Sequence, residues 1–196
     1  MNKLRLGFLA SHNGTDMRGI VKACEDGLLE AIPVIVISNN PLSPALEFAR
    51  TRKIPCFCIN SKNAGTSEMR DLKIRDILLS YNVDLVILSG YMRKIEEKTL
   101  EAFPEKILNV HPSLLPKYAG LYGDSVHKAV LDAHEKISGL TIHTIDKEYD
   151  KGTILLQSEV KVFSTDTIVS LKERIQKEEI KSFISLLKNY KTIKKT

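Results

Sequence analysis

At 196 residues, with 43% hydrophobic and 27% charged side chains, the chain has the size and balance of a single globular domain able to close around a substantial core. No apolar run is long enough to span a bilayer, and the short one at 6–10 leads straight into Asn13-Gly14, so it reads as a buried strand rather than a secretory leader. Much of the formal net charge of +5 sits in the lysine-rich end at 188–196, and no basic stretch is interleaved with aromatics, which argues against nucleic acid and leaves small anions as ligands of a mildly positive body.

In chain order, residues 4–11 read as strand, 17–28 as helix, 32–38 as strand, 42–52 as helix and 54–59 as a short strand. Met17, Ile20, Val21, Cys24 and Leu28 recur at helical spacing and give the first helix one apolar face. A helix over 68–81, a strongly apolar strand at 83–88, a short helical piece at 100–103 and a strand at 106–111 follow. Continuous apolar strands separated by helices predict a mostly parallel sheet covered on both faces. The remainder reads as a helix at 125–134, two strands at 140–145 and 153–162 joined by a polar turn, and a closing helix at 167–187. Strands with so short a link pair antiparallel. The expected fold class is therefore α/β, an open, mostly parallel twisted sheet with an antiparallel element in its C-terminal part. No linker interrupts it, so 1–188 reads as one domain with halves at 1–100 and 101–188, and 189–196 as a frayed basic tail. Three cysteines leave one unpaired in any scheme, and Cys56 and Cys58, two apart on a strand, make a poor disulfide and lack further metal ligands nearby. Reduced packing residues in a cytoplasm, with no metal, are the expectation.

Four constellations carry chemistry. Asn109 and His111 end an apolar strand two positions apart, so they share a face. Pro112 and the stiff Leu114-Leu115-Pro116 that follow hold them there, and an amide beside an imidazole can donate to a carbonyl oxygen that gains charge. The turn Ser11-His12-Asn13-Gly14-Thr15-Asp16, between a strand and a helix, suits a single phosphate on the helix N-terminus. It is neither a dinucleotide fingerprint nor a P-loop, and it reads equally well as a tight turn with Thr15 or Asp16 as N-cap. Asp150, before Lys151-Gly152, has the composition of an ordinary turn. If the fold returns it to the end of the Asn109 strand, it pairs with His111, holds its tautomer and raises its pKa. Glu179 lies in the apolar face formed by Ile168, Leu171, Ile175, Phe183 and Leu187, where a carboxylate must be paired, neutralised or turned to a ligand such as a sugar hydroxyl.

Together these residues resemble the phosphoribosylglycinamide formyltransferase family over nearly the whole chain. The carriers are Ser-His-Asn-Gly-Thr-Asp at 11–16, Leu-Ser-Gly-Tyr-Met-Arg at 88–93, Asn-Val-His-Pro-Ser-Leu-Leu-Pro-Lys-Tyr at 109–118, and the spaced Gly139, Thr141, His143, Asp150 and Gly152. The resemblance implies a Rossmann-like sheet whose first half holds the phosphate of glycinamide ribonucleotide and whose second half holds 10-formyltetrahydrofolate as co-substrate. It implies catalytic roles for Asn109, His111 and Asp150, with His111 protonated. Phosphate and ribose contacts fall to Asn13, Gly14, Thr15, Asp16 and Glu179, and folate contacts to Met92, Arg93, Lys94, Ile95, Asn109, Asp146 and Asp150. Partners are then two small molecules, without nucleic acid or membrane, on a monomer or homodimer. Asp16 stands where the family commonly has Asn and is expected to turn away and cap the helix. Ser67 stands where an arginine often holds the folate tail, with Arg70 as substitute. Another formyltetrahydrofolate-using enzyme, a hydrolase or a sugar or tRNA formyltransferase, is the alternative.

Overall fold

The computed structural model describes residues 3–148 and 150–193, with side chains through Tyr190. The strands follow the order β3-β2-β1-β4-β5-β6-β7 in one seven-stranded sheet. The chain divides into two compact units, the first ending at Leu108 and the second beginning at Asn109, so the border falls within a strand rather than near residue 100.

In the first unit β1 (Leu4–Leu9) lies between β2 (Ala31–Ser38) and β4 (Leu85–Leu88), with β3 (Cys56–Cys58) outside β2 and β5 (Ile107–His111) beside β4, all parallel. Leu6, Phe8, Ile35, Ile37, Leu85 and Ile87 are fully buried, as strands covered on both faces require. At about 1.5–3 kcal/mol for each such side chain, these strands are a main source of the unit's stability. Helix α1 (Thr15–Glu25) starts earlier than its apolar spacing suggests and ends before Gly27, whose φ of 72° is left-handed. Helix α2 (Pro44–Thr51) begins two residues after the expected start, because Ser43 accepts from Ala45 N and Pro44 takes the first helical position. A short helix α3 (Ser61–Ala64), not expected from the sequence, is closed by an Asn60–Asn63 capping box, and α4 (Ser67–Ser80) is capped by Thr66. Helix α5 (Glu97–Ala102) is capped from another element: both carboxylate oxygens of buried Asp71 on α4 accept main-chain N–H groups, from Glu96 at 3.1 Å and Thr99 at 3.0 Å. The three cysteines are free thiols and half-buried.

The second unit contains α6 (Asp124–Asp132), the antiparallel pair β6 (Ile137–Thr144) and β7 (Ile154–Lys161), and α7 (Ile168–Ile193), which packs on both strands and on α6. Leu171, Ile175, Phe183, Leu187 and Tyr190 bury one stripe of α7, and Glu179 lies in it at 6% exposure. The helix therefore runs past the expected end at 187: burial of Tyr190 draws part of the expected basic tail into it, and 194–196 lie outside the described residues. Arg174 grips Asp166 with two bonds of 2.8 and 2.6 Å, which holds that carboxyl well below the usual range and anchors the start of α7. Among the described residues no helix is long and apolar enough to cross a membrane.

Candidate active site

The end of β5 and the loop after β6 bring four polar side chains together in the second unit. Asp150 Oδ2 stands 3.5 Å from His111 Nδ1, and its Oδ1 stands 3.7 Å from His143 Nε2. Asn109 Nδ2 lies 3.3 Å from the same His143 Nε2. Gly120 N donates to Asp150 Oδ2 at 2.9 Å. His111 and His143 are buried, and Asp150 keeps 12% of its side chain exposed.

The backbone explains how Asp150 arrives there. Thr144 N donates to Thr153 O and Thr153 N donates to Thr144 Oγ1, both at 2.9 Å, which closes the loop 145–152 at its neck. Gly152 sits against Thr144 O so closely that a Cβ would overlap that oxygen, so only glycine passes. Asp150 takes a φ of 56°, a left-handed conformation that aspartate tolerates better than most residues. The loop after β5 is fastened in a similar way. Thr141 Oγ1 accepts from Leu115 N at 2.9 Å and donates to Ser113 O at 2.7 Å, while Gln157 Nε2 donates to Leu115 O at 2.9 Å and to Thr141 Oγ1 at 3.0 Å. Gly139 lets Leu114 pack over β6, since a Cβ there would come within 2.7 Å of Leu114 Cδ2.

Electrostatics correct one expectation. Burial pushes the His111 imidazole below its ordinary range, with His143 adding to the drop, while Asp150 and a backbone hydrogen bond with Tyr118 only partly oppose it. On balance its pKa is therefore lowered rather than raised, because desolvation outweighs the carboxylate. His111 Nε2 is buried and finds no hydrogen-bond partner among the described residues. His143 is lowered likewise by burial, against opposing contributions from Thr144, Asp150 and Asp146.

In the first unit, the turn after β1 is a main-chain construction. Gly14, at φ 62°, is the N-cap of α1 and supplies no side-chain cap, so neither Thr15 nor Asp16 fills that role. The cap comes instead from Ser89, beyond β4: its Oγ accepts Met17 N at 3.1 Å and donates to Asp16 Oδ2 at 3.3 Å. Asp16 is thus buried in the first turn and turned toward Ser89, where the helix N-terminus favours its charge. Ser11 Oγ donates to Asn39 Oδ1 at 2.6 Å and accepts Met92 N at 2.7 Å, so it ties the 92–95 segment to this turn. Met92, Arg93 and Lys94 are exposed and Ile95 is buried. Arg18 braces the turn by donating to Asn13 O at 2.7 Å and to Pro44 O at 2.8 Å.

Of the remaining expected residues, Glu179 and Asp146 belong to the second unit. Asp146 Oδ1 accepts Glu148 N at 2.8 Å, the hydrogen bond of an Asx turn. Arg70 donates to Gly65 O at 2.8 Å, so part of its guanidinium is used locally. Sequence reasoning did not single out Gln157, and it took Ser89 and His143 only as parts of motifs. The signal available for His143 was its spacing from Thr141, which puts both on one face of β6.

The chain matches the family model described as formyl transferase over residues 4–187. It is 37% identical over 186 residues to a chloroplastic phosphoribosylglycinamide formyltransferase of Arabidopsis thaliana, covering 93% of this chain and 64% of the plant protein, so it spans just under two thirds of that relative. It is 35% identical over 184 residues to the phosphoribosylglycinamide formyltransferase of Haemophilus influenzae, covering 94% of this chain and 85% of the other. Among solved structures, glycinamide ribonucleotide transformylase 1 from Symbiobacterium toebii superposes with a TM-score of 0.90 at 33% identity, covering 96% of this chain and 88% of that one.

Proposed function

Because the chain belongs to the formyl transferase family, we propose that it transfers the formyl group of 10-formyltetrahydrofolate to the amine of glycinamide ribonucleotide, giving formylglycinamide ribonucleotide and tetrahydrofolate in de novo purine biosynthesis. The observation that carries this reading is the approach of Asp150 to His111 at the strand end that also bears Asn109.

In the reaction the substrate amine forms a bond to the formyl carbon, and the carbonyl electron pair moves onto oxygen. Asn109 donates an N–H to that oxyanion, the position where preorganised donors matter most. The neutral His111 takes the proton that the attacking nitrogen must lose, through Nε2, the ring atom to which the described residues offer no hydrogen bond. As imidazolium it is offset by Asp150 and returns the proton to N10 of the folate as the C–N10 bond breaks. The proton thus passes from amine to leaving nitrogen, and charge is conserved at each step. The main chain of Asn13, Gly14, Thr15 and Asp16 holds the phosphate, Glu179 accepts from ribose hydroxyls, and Met92, Arg93, Lys94, Ile95 and Asp146 contribute to folate binding.

The test is a coupled assay that follows consumption of 10-formyltetrahydrofolate with and without glycinamide ribonucleotide. Consumption that depends on the ribonucleotide is the expected result. Consumption without it would assign a hydrolase instead, and none under either condition would overturn the reading.

A further inference from the structure

His143 touches two members of the proposed catalytic set, yet no step in the reaction above uses it. Its Nδ1 lies 2.9 Å from Thr144 O, and a carbonyl oxygen can only accept, so Nδ1 carries a hydrogen. In the neutral ring this leaves Nε2 with a bare lone pair. The polar hydrogen reaching that lone pair comes from Asn109 Nδ2, 3.3 Å away. Turning the amide over would set Oδ1 against the same lone pair, which is repulsive.

We propose that His143 is a positioning residue for formyl transfer: by accepting one N–H of Asn109 at Nε2, it fixes which edge of that amide faces the reacting carbonyl. One N–H is committed to the imidazole, and the other is the donor that the oxyanion requires. The inference rests on the functional reading above and adds to it a condition on protonation. The charged and titratable groups facing the ring are Asp150 and Asp146 from the loop after β6 and His111 from β5. A charged His143 would present Nε2–H to Asp150 Oδ1, 3.7 Å away, and to Asn109, whose amide would then have to offer its oxygen. The oxyanion donor would be lost. Burial of the ring at 1% exposure opposes that state.

Two measurements test this on the full chain. Long-range proton–nitrogen correlation spectra of the resting protein at pH 7.5 are expected to show His143 neutral with its hydrogen on Nδ1; a hydrogen on Nε2, or a charged ring, overturns the proposal. This readout needs no turnover, so it stands apart from any failure of the assay to detect formyl transfer. In kinetics, His143→Leu removes the acceptor and is expected to lower kcat by about 10²-fold, the scale of one lost oxyanion donor, with KM for both substrates little changed. His143→Gln, which restores an acceptor oxygen, should recover most of that loss. If His143 acts through Asn109, then adding His143→Leu to Asn109→Ala should cost less than about threefold more. Full additivity of the two losses, or a Gln variant as slow as the Leu variant, overturns it. Should the Leu variant fail to fold, the spectra and the Gln variant decide.

Discussion

The turn after β1 and the end of β5, in the roles proposed for them, solve different problems with different parts of the chain. The first presents backbone: Gly14 caps α1 without a side chain, and Ser11, Ser89 and Arg18 brace the loop from behind. The second presents side chains, Asn109, His111, His143 and Asp150, each oriented by a neighbour. An anion needs a rim of N–H dipoles and tolerates varied side chains around it. Moving a proton and holding an oxyanion require particular atoms at particular distances. Substitutions should therefore damage the first region by changing its shape and the second by changing its chemistry.

The largest effect is expected where shape and chemistry coincide. Gly152→Ala forces a Cβ onto Thr144 O, opens the neck of the 145–152 loop and displaces Asp150, so urea unfolding should show a loss of roughly 4 kcal/mol or more and activity should vanish. A variant of normal stability and turnover would mean that the neck is not what places the carboxylate. Next come the side chains themselves. Asn109→Ala and Asp150→Asn should each lower kcat by about 10²- to 10³-fold while the thermal midpoint stays near that of the parent. A wild-type rate in either folded variant would remove that residue from the chemistry. Glu179→Ala should raise KM for the ribonucleotide roughly 10- to 100-fold, the equivalent of a charged hydrogen bond, and leave folate affinity unchanged; unaltered ribonucleotide binding in a calorimetric titration would refute the assignment.

Gly14→Ala probes the other side of the contrast. Its φ of 62° costs an L-residue about 1–2 kcal/mol, and a Cβ would press on Ala45 Cβ and Met17 Cε at 3.1 Å. Weaker ribonucleotide binding with kcat retained is the expected pattern, and a collapse of kcat alone would break the division between the two regions. The smallest effect is in pH. Burial depresses the imidazoles of His111, His127 and His143 in the fold, whereas in the unfolded chain they take up protons near pH 6.5. The unfolded state then binds more protons, so stability should decline as pH falls from 7.5 to 5.5. A urea midpoint that stays level or rises over that interval would show that these rings are not held neutral.

The same contrast explains what could be read from sequence. Apolar periodicity indicated the parallel strands, the antiparallel pair and the buried stripe of α7 with Glu179 in it, because burial is written into residue type. The Asn109–His111 pair was legible because two positions along a strand share a face. Long-range satisfaction of hydrogen bonds was not. That Ser89 caps α1 from beyond β4, that Asp71 caps α5, and that Gln157 clips the loop after β5 at Leu115 depend on partners 25 to 72 positions away. Nor could sequence weigh desolvation against a neighbouring carboxylate at His111, since both follow from depth of burial. The end of α7 was misjudged because local lysine content hid the burial of Tyr190.

Among the described residues, the segment between Lys117 and Asp124 reaches the proposed catalytic set through peptide groups, by way of Tyr118 to His111 and Gly120 to Asp150. Tyr118, Gly120 and Gly123 all bend it with positive φ. Leu121 and Tyr122, both exposed, take no part in those bonds. Side chains there are thus spared the chemistry, while length and handedness are not: a substitution at Leu121 or Tyr122 should leave both peptide contacts in place, and a deletion in the segment should break them.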